Sequence, residues 1–187
     1  KFFAENQAAH RWEKHRGLRE LSGKIACIIG TGSVGSAIVR RLRAFDVKTV
    51  GVNRSGHPAA EFDQTQPTCR LDDLLPLADL VICAMPLTAE TAGLFDSVRL
   101  AKIKSGAVFV NVARGKVADQ QSLVEALQSG QLSGAVLDVF EEEPLPRSSP
   151  LWDMEQVILT PHNSFVGEHN GERLFRLICK NLESFAQ

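Results

Sequence analysis

The hexapeptide Gly30-Thr31-Gly32-Ser33-Val34-Gly35 restricts what this chain can fold into more than any other stretch. It follows an apolar run, residues 24–29, that reads as a buried strand. It opens a segment in which Val34, Ala37, Ile38 and Leu42 recur at helical spacing. Standing alone, such a glycine pattern is only a turn. Between a strand and a helix it permits a tight turn at Gly30, close approach of the backbone to a ligand at Gly32, and helix-on-strand packing at Gly35. The free N–H groups around Ser33 and Val34 then face an anion such as a pyrophosphate.

An extended apolar pattern resumes at residues 49–52 and completes a β-α-β unit. Further strands are expected at 80–83, 107–110, 134–137 and 157–159, each preceded by a helical or turn segment. This alternation predicts an α/β fold, a Rossmann-type doubly wound parallel sheet with helices on both faces. Asp119 is placed to cap a helix carrying Leu123, Val124 and Leu127, and Gly130 to end it. Prolines make residues 143–150 a loop. Residues 2–15 read as a helix before the first strand. Residues 171–185 read as a closing helix, with Leu174, Phe175, Ile178, Leu182 and Phe185 three or four apart. The chain thus divides into an interdomain helix (1–20), a dinucleotide-binding domain (21–166) and a closing helix (167–187).

Charge narrows the partners. The 21 Lys and Arg against 22 Asp and Glu give a formal net charge of -1, with both signs interspersed. No concentrated positive field exists for nucleic acid or an anionic membrane, so a small-molecule partner is expected. No apolar run approaches the ~18 to 20 residues of a membrane span. The opening Lys1-Phe2-Phe3-Ala4-Glu5 lacks the layout of a signal peptide, which points to the cytoplasm. Cys27, Cys69, Cys83 and Cys179 are scattered without zinc or redox spacing and read as inert thiols, with no metal site. His10 and His15 fall on different faces of their expected helix and read as solvated.

The residue that sorts NAD from NADP is expected about 20 positions past the glycine turn, at the end of the second strand. Asn53 stands there. A carboxylate at this point would accept from a ribose 2'-hydroxyl and repel a 2'-phosphate. Asn53 does not repel it, and Arg54 and Ser55 add a guanidinium fork and a hydroxyl. The pattern favours NADP over NAD, the alternative being an exposed turn with a solvated Arg54.

Four more stretches follow in order: Pro86-Leu87-Thr88 after a strand, Asn111-Val112-Ala113-Arg114-Gly115, Asp138-Val139-Phe140 with Glu143-Pro144-Leu145 behind it, and Thr160-Pro161-His162. Together with the glycine turn, they make the chain from about Leu21 to Val166 resemble the nucleotide domain of the D-isomer-specific 2-hydroxyacid dehydrogenases, of the glyoxylate/hydroxypyruvate reductase kind. The resemblance implies a hydride exchanged between NADP(H) and a small 2-keto or 2-hydroxy acid. It implies Arg114 as the cation for the substrate's carboxylate and carbonyl, His162 as proton donor, and Glu143 as the carboxylate that keeps the imidazole protonated. Asp138 would orient the nicotinamide end or tune the histidine. Pro86, Thr88 and Ala113 would line the cofactor.

Taken singly, an Arg after a strand, a His after Pro and a Glu in an acidic run are ordinary surface residues. Found together at the carboxyl ends of successive strands, they read as a site. Formate dehydrogenases of this fold set a glutamine against the histidine, so Glu143 favours hydroxy-acid chemistry. Asn163-Ser164-Phe165 departs from the small residues of many relatives and leaves the substrate's side chain open. The resemblance also implies a second domain that completes the substrate pocket. Residues 1–20 leave no room for it and residue 1 is Lys, so the chain reads as a fragment or excised domain rather than a naturally short nucleotide binder. Phe2, Phe3, Ala8 and Trp12 need cover, for which a homodimer is the expected source. Two functions fit these residues: a 2-keto acid reductase, or a dinucleotide-sensing module like the corepressors that share the fold.

Overall fold

The computed structural model describes residues 2–15 and 17–185; Lys1, Arg16, Ala186 and Gln187, which belong to the terminal segments assigned above, lie outside the described residues. A short helix α1 (Phe2–Ala8) precedes β1 (Ile25–Ile29), α2 (Ser33–Leu42), β2 (Lys48–Asn53), β3 (Gln64–Pro67) and α3 (Leu71–Leu74). Next come β4 (Leu80–Cys83), α4 (Ser97–Lys102), β5 (Ala107–Asn111), α5 (Gln120–Gln128), β6 (Leu132–Leu137), β7 (Val157–Leu159) and α6 (Asn170–Phe185). The seven strands are parallel and ordered β3-β2-β1-β4-β5-β6-β7. This is the doubly wound order, and chain direction across the sheet reverses between β1 and β4, where a crevice opens at the strands' carboxyl ends.

Alternation along the strands divides the core. Cys27, Ile29, Val81, Cys83 and Phe109 point to the side covered by Leu71, Leu75, Leu100, Leu123 and Leu127. Ala26, Ile28 and Ile82 point to the side covered by Val39 of α2, with Phe62 and Val47. Phe95 and Phe109 meet edge to face at 5.1 Å and 75°, a pairing worth about 0.5 to 1.5 kcal/mol beyond its buried area. Cover on the α2 side thins beyond β4: Val108, Val110 and Val136 are half-buried there and Ile158 is 54% exposed. Asp119 caps α5, its carboxylate accepting from the Ser122 amide at 2.7 Å, and Gly130 (φ 76°) ends it as expected.

Three expectations are corrected. The first helix stops at Ala8 instead of running to His15. His10 turns left-handed (φ 52°), with its amide on the Gln7 carbonyl at 3.1 Å and the Arg11 amide on Asn6 at 2.8 Å. That is a Schellman stop. A seventh strand, β3, went unread because Gln64–Pro67 is short and polar, as an edge strand can be. Strand β6 begins at Leu132, two residues before Gly134, because Leu132 is buried against Ala107. The closing helix is present from Asn170, with its apolar residues exposed.

Candidate active site

The glycine turn follows β1 at the crevice. Gly30 sits at φ 107°, and a Cβ there would lie 2.5 Å from the Ala84 carbonyl oxygen; a Cβ on Gly35 would lie 2.0 Å from the Gly30 carbonyl oxygen. Both positions are closed to side chains. Gly32 differs: its backbone is extended (φ -76°, ψ -163°), and an added Cβ would meet nothing within 4 Å. The N-cap residue Gly32 has no side chain to cap the first turn of α2, and Ser33 and Val34 are exposed. The result is a bare helix N-terminus facing open space over a glycine, which fits a pyrophosphate.

The end of β2 forms one wall of the crevice. Asn53 is committed to local structure: its amide donates to Thr31 Oγ1 at 3.1 Å and to the His57 carbonyl at 2.9 Å, and its oxygen accepts from the Gly56 amide at 2.7 Å. Arg54 and Ser55 are exposed. The facing wall is the loop after β4, where Pro86 and Thr88 are exposed; Thr91 Oγ1 donates to the Pro86 carbonyl at 2.8 Å and accepts from the Thr88 amide at 2.7 Å.

Past β5 and β6 the candidate acid–base residues come together. His162 Nδ1 lies 2.8 Å from Glu143 Oε2, and Glu143 Oε1 accepts from the Phe140 amide at 3.0 Å. The bond to His162 and the Phe140 amide hold the Glu143 carboxyl below the usual carboxylate range. His162 is left-handed (φ 49°), a conformation a non-glycine residue keeps only when its surroundings impose it. They do. Its amide donates to the Asp138 carbonyl at 2.8 Å. The Asp138 carboxylate, 3% exposed, accepts from Thr160 Oγ1 at 2.5 Å, the Asn163 amide at 2.9 Å, the Ser164 amide at 3.1 Å and the Ser164 hydroxyl. Burial pushes the Asp138 carboxyl up, but the Ser164 and Thr160 hydroxyls and the two amides outweigh it and leave it below its ordinary value. Four donors fill the sites a carboxylate offers.

Arg114 reaches the same edge through the backbone. Buried Asn111 donates to the Arg114 carbonyl at 3.0 Å and accepts from the Ala113 amide at 3.0 Å, while Arg114 Nη1 donates to the Ala113 carbonyl at 2.6 Å. Ala113 is therefore buried, with both backbone groups engaged. Beside it, a Cβ on Gly115 would lie 1.8 Å from the Phe140 carbonyl oxygen, so the Arg114 turn packs directly on the turn that presents Glu143. A cavity of about 570 Å³ adjoins the pair, lined by Phe140, Leu145, Trp152, Leu159, Glu143 and His162 among others.

Residues 1–164 match the family described as D-isomer specific 2-hydroxyacid dehydrogenase, NAD binding domain. The chain belongs to that family. It is 39% identical over 166 residues to a glyoxylate reductase of Pyrococcus furiosus, a match covering 89% of this chain and 49% of that protein. Among solved structures it is similar to a D-isomer specific 2-hydroxyacid dehydrogenase family protein from Aeromonas salmonicida, with 38% identity, TM-score 0.89, and coverage of 99% of this chain and 59% of the other. It is also similar to an NADPH-dependent glyoxylate/hydroxypyruvate reductase from Sinorhizobium meliloti in complex with NADP and sulfate, with 30% identity, TM-score 0.86, and coverage of 99% and 59%. The chain spans about half the length of the curated relative it matches.

Within this dehydrogenase domain the structure adds residues that sequence reading passed over. Asn111 and Thr160 belong to the family-like stretches, and their side chains engage the Arg114 carbonyl and the Asp138 carboxylate. Ser164 marked a departure from relatives and turns out to be a donor to Asp138. Glu90, two residues past Thr88, pairs with Arg54 at 3.1 Å.

Proposed function

We propose that the protein reduces a small 2-keto acid, glyoxylate or hydroxypyruvate, to its 2-hydroxy acid with NADPH, and catalyses the reverse oxidation. The His162–Glu143 pair at 2.8 Å carries the reading. His162 Nδ1 is taken by the Glu143 carboxylate, which leaves Nε2 to give a proton to the carbonyl oxygen as it becomes an alkoxide. Arg114 offers a planar cation for the substrate's carboxylate and carbonyl. When bound, the nicotinamide cofactor supplies the hydride to the keto carbon. Gly32 and the first turn of α2 bind its pyrophosphate, and Arg54 with Ser55 binds a 2'-phosphate. Pro86 and Thr88 line the opposite wall, and Ala113 backs the site. For Asp138, its saturated carboxylate supports orienting the His162 turn in preference to contacting the nicotinamide.

Residues 1–20 and 167–187 lead, on this reading, to further chain that completes the substrate pocket, in keeping with the half-length match to relatives. A cytoplasmic homodimer belongs to the same reading, with Phe3, Trp12 and the apolar face of α6 exposed and in need of cover. Among the described residues no helix is long and apolar enough to cross a membrane. Steady-state turnover of the intact protein against a panel of 2-keto acids tests the proposal. Turnover on the order of 1 to 1000 per second is expected for a small 2-keto acid. Tight NADPH binding without turnover would favour the dinucleotide-sensing module instead.

A further inference from the structure

We propose that Glu90 is a specificity-determining residue that biases the site against NADPH, its carboxylate occupying the guanidinium of Arg54 until a 2'-phosphate displaces it. This rests on the NADP reading above and deepens it. Arg54 directly follows β2, and Glu90 lies in the loop after β4; these strands flank β1 on opposite sides. The Arg54 Nη2 to Glu90 Oε1 contact of 3.1 Å therefore bridges the two walls of the crevice that the glycine turn opens into.

The two partners are not equally free. Glu90 is held from its own loop, since Oε2 accepts from Thr88 Oγ1 at 2.7 Å, and Thr88 is itself tied to Thr91. Arg54 has an 83% exposed side chain, and Glu90 is the one partner its guanidinium shows among the described residues. Asn53 beside it is spent on Thr31, Gly56 and His57, which leaves Arg54 as the group at the end of β2 able to change anions. The Thr88 hydroxyl first, then its own amide and Arg54, hold the Glu90 carboxyl below the usual range, so it is charged at neutral pH.

A phosphate dianion outcompetes a carboxylate for a guanidinium fork, whereas the 2'-hydroxyl of NADH carries no charge and does not compete. Binding NADPH thus breaks the pair and leaves a carboxylate near the new phosphate. Binding NADH leaves the pair intact. Glu90 accordingly lowers affinity for one cofactor only.

The test is a fluorescence titration of the intact protein with NADPH and with NADH, for wild type, Glu90→Gln, Arg54→Ala and the double variant. Glu90→Gln is expected to tighten NADPH by about two- to fivefold, the range of an exposed ion pair, with NADH unchanged. The gain should shrink in the Arg54→Ala background and at high salt. Weaker NADPH binding, equal tightening of both cofactors, or a gain that persists undiminished without Arg54 would each overturn the proposal. If Arg54→Ala alone leaves NADPH binding unchanged, the NADP reading falls and this inference with it. If Arg54→Ala weakens NADPH while Glu90→Gln leaves the ratio as it was, only the role of Glu90 falls.

Discussion

His162 Nδ1 and Glu143 Oε2 lie 2.8 Å apart although 19 positions separate them in the chain, and the second oxygen of the same carboxylate is already fixed by the Phe140 amide at 3.0 Å. Glu143 is thus aimed by the turn after β6 independently of the histidine it orients.

Glu143→Gln keeps the shape and the Phe140 contact but removes the charge. The prediction is a loss of turnover on the order of 100-fold, the low end of what a general acid contributes. NADPH affinity should stay nearly unchanged, because the Glu143 carboxylate faces His162 and the Phe140 amide, away from the glycine turn. Steady-state turnover within a few-fold of wild type in the folded variant would contradict this pairing.

Asp138 gives a stability prediction with a definite sign. Its folded carboxyl titrates below the ordinary 3.8. The stabilisation it contributes is therefore fully present above that value and is lost as pH falls through the folded value. Asp138→Asn should be less stable than wild type at neutral pH, and the gap should close as pH drops below about 3.8. Urea midpoints measured from neutral to acid pH decide it. A gap that stays constant or widens in acid contradicts the assigned donors. Turnover should fall in the same variant with NADPH affinity nearly unchanged, since the carboxylate holds the His162 turn.

Gly32→Val should fold, because the extended backbone at this position suits a branched residue and an added Cβ meets nothing within 4 Å. It should lose both NADPH and NADH by at least about tenfold, the side chain standing where the pyrophosphate approaches the helix. Gly35→Ala is the contrast. Its Cβ would lie 2.0 Å from the Gly30 carbonyl oxygen, so this variant should lose fold stability as well. Normal binding by a folded Gly32→Val protein would place the phosphate site elsewhere.

How much of this was legible in the sequence follows from how local each feature is. The glycine turn, the six apolar strands and the Asp119 cap depend on neighbours a few residues away, and each stands where the pattern put it, apart from the earlier start of β6 at Leu132. Strand β3 did not show, because a polar edge strand is recognised by its partner β2 and not by its own residues. The stop of α1 depends on His10 turning left-handed, which its residue type only weakly signals.

At the site, Arg114, Glu143 and His162 were legible as residue types in family motifs, and the structure pairs the last two. The four donors on Asp138 were not, because they converge only once His162 adopts φ 49° and turns the chain back over the carboxylate. Nor was the Arg54–Glu90 contact, which joins residues 36 apart across two strand ends.

The most direct measurement is reduction of glyoxylate and hydroxypyruvate by the intact protein and its His162→Ala variant, with NADPH affinity titrated in parallel. A proton donor positioned by Glu143 predicts a fall in turnover of about 10²- to 10⁴-fold in the variant with cofactor affinity nearly unchanged. Turnover retained within a few-fold of wild type, with the variant folded, would contradict the role assigned to His162.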